Sequence, residues 1–394
     1  MEYKKEYITI FVIMITEVLG FSLILPFLPY YVENFGASPL TYGLILASFS
    51  FLQLISSPIM GKLSDHYGRR PMLFFSQLST FISFIILGLA NSLLMVFLSR
   101  IVDGLLGSNM TLAQAYISDI STKENRSRAF GLVGVAFGIG FLIGPAIGGT
   151  LARIDYSIPS FIAAGFSFIT IITTYFFLPE TVKRKKDIKF DFKKAFHINE
   201  FKKYFHNKKI SSKLFQFFSY TLTHSIYVTA FAYFASLMFG FKENNIGYLL
   251  TYIGFLSIIL RGVLLGKLID IFGEFRLRYA GVFSIFIGMV MLSFLQNIIF
   301  FYIAMTLFAV GSGLSMPLLA GEISRNVSEK EQGAISGVRS SLRSISQIIG
   351  PLIGNAMINY FYPGSLGIAA GAVISVAIIL MIKEDFLQHR NFSY

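Results

Sequence analysis

Glu17, Asp103 and Arg100 each lie inside a long apolar run, where charge is rare. Glu17 stands about ten residues into the first run, and Asp103 about as deep in the fourth. Arg100 is one helical turn from Asp103, on the same face. An ionisable group at mid-membrane costs at least about 2.5 kcal/mol on insertion scales, so each asks for a reason. An acid facing a partly dry cavity suits a proton carrier. We expect Glu17 and Asp103 to exchange proton and substrate, with Arg100 tuning Asp103. A static ion pair of Arg100 with either acid is the structural alternative. The second half of the chain supplies cations instead. Arg339 and Arg343 are four apart and share a helix face near the cavity. They are suited to an anionic substrate group, or to pairing with Glu17 or Asp103 across the halves. Arg261 is expected about a turn from the inner end of its span, snorkelling. His224, with Tyr220 and Tyr227, is a candidate to titrate or bind substrate, against the plainer reading of a hydrogen-bonded packing histidine.

These side chains need a membrane frame to hold them. Of 394 residues, 54% are hydrophobic and 14% charged. Uncharged runs of roughly 20 residues, long enough to cross the hydrocarbon core, recur along most of the chain. In lipid such runs must be helices, because every backbone polar group needs an internal partner. The fold class is therefore all-α membrane protein. Twelve spans are expected, at 8–31, 41–60, 71–91, 93–116, 129–152, 158–178, 213–238, 245–265, 279–297, 299–319, 333–359 and 365–382. The first run is too long for the apolar region of a cleavable signal peptide and reads as a membrane helix. With the N-terminus inside, the outer loops carry only Arg153 and Lys242, while the other loop lysines and arginines fall inside. That bias places both termini in the cytoplasm. The absence of cysteine excludes disulfides and thiol chemistry, and no metal or cofactor is called for.

The net charge of +12 would suggest nucleic acid in a soluble protein. Here positive inner loops account for it, and no nucleic-acid partner is needed. Residues 183–213 hold twelve Lys or Arg against Asp187, Asp191 and Glu200. Phe192, Phe196, Phe201 and Phe205 recur there at spacings of four and five. The segment reads as an amphipathic helix on an anionic cytoplasmic leaflet, or as a solvated basic linker. The domain expectation is a six-helix bundle over 1–182, this linker over 183–212, and a second bundle over 213–394.

The halves repeat at an offset of about 205 residues. Gly61-Lys62-Leu63 and Asp65-His66-Tyr67-Gly68 are echoed by Gly266-Lys267-Leu268 and Asp270-Ile271-Phe272-Gly273. Gly131, Gly144-Pro145 and Gly148 are echoed by Gly337, Gly350-Pro351 and Gly354. A duplicated half of this length implies two similar bundles with a site between them at mid-membrane.

The run from Gly61 through Asp65, Gly68, Arg69 and Arg70 to Leu73 resembles the loop 2–3 signature of the major facilitator superfamily. Its glycines allow a tight turn against another helix. Asp65 and Arg69 would form a charge pair at the cytoplasmic mouth, with Asp119 as third member, holding the bundles in one state and releasing them in the other. Arg100-Ile-Val-Asp103-Gly104-Leu-Leu-Gly107 looks like the superfamily's fourth-helix motif, with Asp103 where glutamine is usual. Gly131, Gly140, Gly144-Pro145 and Gly148-Gly149 match its antiporter signature. Gly140, Gly144 and Gly148 form one smooth face for close helix approach, and Pro145 allows a kink. The stretch from Glu17 to Pro29 resembles the first helix of tetracycline and multidrug efflux proteins. Glu274-Phe275 replaces the paired arginines in the second half, and Leu178-Pro179-Glu180-Thr181 stands in place of the sugar-porter ending.

The resemblance implies a proton-coupled antiporter exporting lipophilic small molecules by alternating access, acting as a monomer. Its partners would be the substrate, protons and the bilayer. A transporter of a specific metabolite (a sugar, organic acid or siderophore) is the alternative, and a transporter-like receptor a further one. An enzyme is not expected: the chain has no Gly-x-Ser-x-Gly, His-Glu-x-x-His or Walker loop.

Overall fold

The computed structural model describes residues 4–122, 126–182, 198–294, 297–328 and 331–391. Among them every regular element is helical. The first half runs α1 (Lys4–Ile24), α2 (Leu28–Glu33), α3 (Pro39–Tyr67), α4 (Arg69–Gly88), α5 (Leu93–Leu106), α6 (Asn109–Ile120), α7 (Arg126–Ala152) and α8 (Ser157–Phe177). The second runs α9 (Ile198–His206), α10 (Lys208–Phe239), α11 (Glu243–Ile259), a π-helical turn (Leu260–Leu264), α12 (Leu265–Phe272), α13 (Glu274–Phe294), α14 (Ile298–Arg325), α15 (Gln332–Tyr360) and α16 (Ser365–Asn391).

Eleven stretches among the described residues are long and apolar enough to cross a membrane. The expected eleventh span, α15, is 29 residues long but is not among them. Arg339, Arg343 and its many serines keep its hydropathy low. The count of twelve therefore rests on length at this one helix.

Three spans are not the single helices expected. The first breaks at residues 25–27, where Pro26 disfavours helical backbone at Leu25 and Pro29 then starts α2. The fourth breaks between α5 and α6 at Gly107-Ser108. The eighth runs seven residues past its expected end and carries the π-helical turn at its centre. Arg261 is thus about three turns from the inner end of that span, not one.

The chain divides into two compact units. The first comprises Met1–Ser38, Ser48–Ala195 and Phe241–Gly254. The second comprises Pro39–Ala47, Phe196–Gly240 and Phe255–Tyr394. Inside the first, Ile10, Met14, Leu112, Tyr116 and Ile117 form a buried core among α1 and α6. The glycine face of α7 lies on α1 as its spacing implies: a Cβ at Gly140 would meet Val18, at Gly144 Ser22, and at Gly148 the Leu23 carbonyl. A neighbouring face of α7 carries the start of α11, where Gly247 meets the Pro145 carbonyl and Gly149 the Glu243 carbonyl. Gly131 faces open space, so close approach does not explain it. Inside the second unit the start of α3 packs on α15 and α10, with Gly43 against Pro351 and Asn355 and Tyr42 edge-on to Tyr233 at 5.7 Å.

The expected amphipathic segment is helical where described, as α9; Asp187, Asp191, Phe192 and Phe196 lie outside the described residues. The anchor of α9 is Tyr204, 2% exposed, rather than a phenylalanine. Phe201 stacks on Phe205, which meets Phe215 of α10. Lys203 forms an ion pair with Glu331 at the start of α15. The helix is docked on protein along one side, a contact that a solvated linker would not make.

Candidate functional site

The break in the fourth span creates the centre of the first unit. Asp103 sits one turn before the break, about 5 Å short of the midpoint of the Leu93–Ile120 span by helical rise. A Cβ at Gly107 would collide with the Asp103 carboxylate, so only glycine lets the chain turn there. The polar groups freed by the break find partners on other spans. Ser108 N–H donates to Ser76 Oγ at 2.7 Å, and Ser56 Oγ donates to the Gly104 carbonyl at 2.9 Å. Irregular backbone at this depth is tolerated where such partners exist or a polar cavity is lined.

Glu17 lies within about one turn of the midpoint of α1. Asn109, the first residue after the break, donates to Glu17 Oε2 at 2.9 Å and to Thr80 Oγ1 at 2.8 Å. Thr80 donates to Asp103 Oδ1 at 2.8 Å. Thr170 donates to Glu17 Oε1 at 3.1 Å. The two acids therefore belong to one chain, Glu17–Asn109–Thr80–Asp103, whose partners are all neutral donors. Asn109 Oδ1 is buried without a partner, so the network keeps one open acceptor. Arg100, 4% exposed, forms no ion pair with either acid. It donates to Ser83 Oγ at 3.1 Å and to Ser99 Oγ at 3.3 Å, and lies 5.9 Å over the Phe84 ring. The static ion-pair alternative is absent among the described residues.

The expected cytoplasmic cluster also assembles within this unit. Arg69 Nε donates to Asp119 Oδ2 at 2.7 Å, and Arg69 Nη2 reaches Asp65 Oδ1 at 2.6 Å. Ser64 adds a third contact to Arg69 at 2.5 Å. Glu180 was not singled out from sequence. Its carboxylate accepts from the backbone N–H groups of Arg69 (2.9 Å), Arg70 (3.2 Å), Thr181 (2.9 Å) and Val182 (3.0 Å), capping α4 from another span. Negative charge is favourable at a helix N-terminus. Gly68, at φ +111°, makes the turn beneath that carboxylate, where a Cβ would strike it. Gly61 faces open space and its close-approach role does not hold. Arg70 donates to the Tyr175 carbonyl and lies 5.5 Å over the Tyr175 ring.

In the second unit the expected cavity residues separate. Tyr227 is core: it is 1% exposed, its hydroxyl donates to the Met305 sulfur, and its ring lies 4.4 Å from Phe308. Arg339 is half-buried, donating to the Ala320 carbonyl at 2.9 Å and lying 5.8 Å over Phe217. Arg343 is exposed, and among the described residues its one hydrogen bond is to the Met316 sulfur at 3.8 Å. Tyr220 is buried and its hydroxyl is 2.8 Å from Ser312 Oγ. His224 lies 6.1 Å from the Tyr220 ring and 5.6 Å from Phe308. Near the start of α10, Lys213 pairs with Glu322 and, at 3.4 Å, with Glu384, while Arg278 also pairs with Glu322. Lys213 and Arg278 read as topology markers in sequence, yet are 8% and 5% exposed. Among the described residues no group of three His, Asp or Glu could hold a metal ion.

The family model for the Major Facilitator Superfamily matches residues 10–351, and again 264–391. The chain is 29% identical to the class H tetracycline resistance protein of Pasteurella multocida, over 98% of each chain. It is 30% identical to multidrug resistance protein 2 of Bacillus subtilis (strain 168), over 91% of this chain and 92% of that one. Among solved structures, the peptide transporter POT superimposes with a TM-score of 0.79 at 12% identity, covering 95% of this chain and 93% of the other, which is a likeness of fold. With membrane-spanning helices, the loop 2–3 cluster and the glycine face of α7 all in place, the chain belongs to the major facilitator superfamily.

Proposed function

We propose that this protein is a proton-coupled antiporter that exports lipophilic small molecules by alternating access. The observation that carries the reading is the Glu17–Asn109–Thr80–Asp103 network, in which two mid-span acids have only neutral partners. A charge left uncompensated at that depth is a standing cost, and groups of this kind mark proton and ion pathways. Relatives named for tetracycline and multidrug resistance support export of drug-like molecules. Glu17 and Asp103 are the proton-handling residues, and Arg100, bound only to hydroxyls, sets the field on Asp103. Asp65, Arg69, Asp119 and Glu180 act as the cytoplasmic gate, and the α7 glycines as a sliding face. Both termini lie in the cytoplasm, basic residues contact an anionic inner leaflet, and the working unit is a monomer.

The test is transport in proteoliposomes under an imposed pH gradient, with ethidium as a lipophilic probe. Gradient-driven transport is expected for the wild type and lost in Glu17→Gln and Asp103→Asn. Unchanged coupling in both variants sinks the proposal. A transporter of a specific anionic metabolite is the second reading, favoured by Arg343, a mid-span cation with no carboxylate partner among the described residues.

A further inference from the structure

A guanidinium on the surface of a membrane-spanning unit is expensive if it faces lipid, about 2.5–3.5 kcal/mol on insertion scales. The second unit carries two such groups at one level. Arg343 lies about 5 Å inward of the midpoint of α15, and Arg261 about 5 Å inward of the midpoint of its span, by helical rise. Both are exposed. Each lies within electrostatic range of the other and of Tyr220 and His224. No described carboxylate is within ion-pair distance of either one. Like charges at close range repel, so the fold keeps them together against a cost that no internal partner offsets.

Their local support holds them forward rather than neutralising them. Arg261 leaves the span at the π-helical turn Leu260–Leu264 and donates one N–H to the Ser312 carbonyl at 3.2 Å. Such turns re-aim a side chain by adding a residue to the helix, and they are frequent at functional sites. The Tyr220 hydroxyl reaches the same residue, at 2.8 Å from Ser312 Oγ. Among the described residues Arg343 donates only to the weakly accepting Met316 sulfur, one turn along α14 at 3.8 Å. Most of the N–H donors of the two guanidinium groups are left without protein acceptors. The floor is aromatic: His224 lies beside Tyr220 and Phe308.

We propose that Arg261 and Arg343, with the Tyr220 hydroxyl and the half-buried His224 ring, form an anion-binding subsite that takes a carboxylate attached to an aromatic body. The guanidinium fork matches a carboxylate geometrically and the rings take the apolar part. Arg339 is excluded, because the Ala320 carbonyl and Phe217 already occupy it. A lipid headgroup is excluded as the source by depth, since both arginines lie near mid-span. The subsite names a substrate class for the transporter proposed above. It rests on that reading for translocation only, because binding needs no proton gradient.

The experiment compares 1-naphthylacetate with neutral 1-naphthylacetamide, by calorimetry on the purified full chain in detergent. The shared ring isolates the charge. The wild type is expected to bind the acid at least tenfold more tightly than the amide, as a charge-assisted hydrogen bond gives about ten- to a hundredfold. Arg261→Gln and Arg343→Gln should each bring that ratio below threefold while leaving the affinity for the amide unchanged. That unchanged affinity also shows the variants are folded. Arg153→Gln, on an outer loop, should keep the wild-type ratio. A wild-type ratio near one, binding of neither probe, or a tenfold ratio retained in either glutamine variant overturns the proposal. The calorimetric ratio is read with no pH gradient present. An intact ratio without gradient-driven transport therefore defeats the antiport reading alone, and gradient-driven transport without a ratio defeats the subsite alone.

Discussion

Thr80→Val is the sharpest probe of the network that joins the two acids. The side chains are nearly the same shape, so the change removes one hydroxyl and little packing. That hydroxyl accepts from Asn109 and donates to Asp103, both at 2.8 Å, and Thr80 is 5% exposed. Water is poorly placed to replace it. A hydrogen bond to a charged group contributes about 1.5–3 kcal/mol, and each 1.36 kcal/mol is tenfold in rate. If the bridge serves the transport step, gradient-driven ethidium transport per folded protein should fall about 10- to 100-fold in Thr80→Val. Thr80→Ser keeps the hydroxyl and should stay within about threefold of the wild type. Transport by Thr80→Val within threefold of the wild type refutes the reasoning, as does a Thr80→Ser variant as impaired as Thr80→Val.

Gly144→Val drives its side chain into Ser22 of α1 and should cost about 1–3 kcal/mol by overpacking, while Gly131→Ala faces open space and should be neutral or stabilising; thermal denaturation followed by size exclusion separates them. Glu180→Ala removes the cap from α4 and should cost about 0.5–2 kcal/mol, read as faster amide exchange at Arg69 and Arg70 than in the wild type. The hydrogen bonds from Lys203, then from the Ser328 hydroxyl and backbone, hold the Glu331 carboxyl down at about 2 against an ordinary 4.5. The folded value is the lower one, so the contact contributes fully above pH 4.5 and is lost as pH falls toward 2. Exchange protection of α9 should therefore be flat from pH 7 to about 5, and Lys203→Ala should lower it only modestly because the pair is exposed.

What could be read from the sequence was whatever is encoded locally. Apolar runs and the basic bias of the loops need only composition, and the Asp65–Arg69 pair needs only a motif whose spacing is fixed by one turn. The break at Gly107-Ser108 is masked in the sequence because Gly104, Gly107, Ser108 and Asn109 sit inside an otherwise apolar stretch. What makes the break affordable is Ser56 and Ser76, some 30 to 50 residues away. Glu180 was hidden for the same reason: it caps a helix 110 residues earlier in the chain. Asn109 and Thr80 were invisible as a pair, because each is an ordinary polar residue until the fold sets it between the acids. Arg261 was misplaced because hydropathy does not show where a helix takes up an extra residue. The one usable signal was the Gly-x-x-Gly-Ser-Asn run after an intramembrane acid, a cluster of helix-weakening residues at the depth where a site is expected.

The positions of the ion pairs argue that the mid-span charges are kept for work rather than for stability. Near the ends of its helices each unit zips opposite charges together: Arg69 with Asp65 and Asp119, Lys213 and Arg278 with Glu322, Arg325 with Glu274. At mid-span, Glu17, Asp103 and Arg100 in one unit and Arg261 and Arg343 in the other meet only hydroxyls, amides, carbonyls or sulfur. Removing one member of a buried pair strands its partner, at about 3–5 kcal/mol. Removing a charge that has no partner strands nothing. Lys213→Met should therefore lower the midpoint of thermal denaturation in detergent, whereas Glu17→Gln and Arg343→Met should leave it unchanged or raise it while abolishing, respectively, proton coupling and anion preference. A midpoint that falls in Glu17→Gln and Arg343→Met as far as in Lys213→Met would mean that the mid-span charges hold the fold, and the functional reading of both would fall with it.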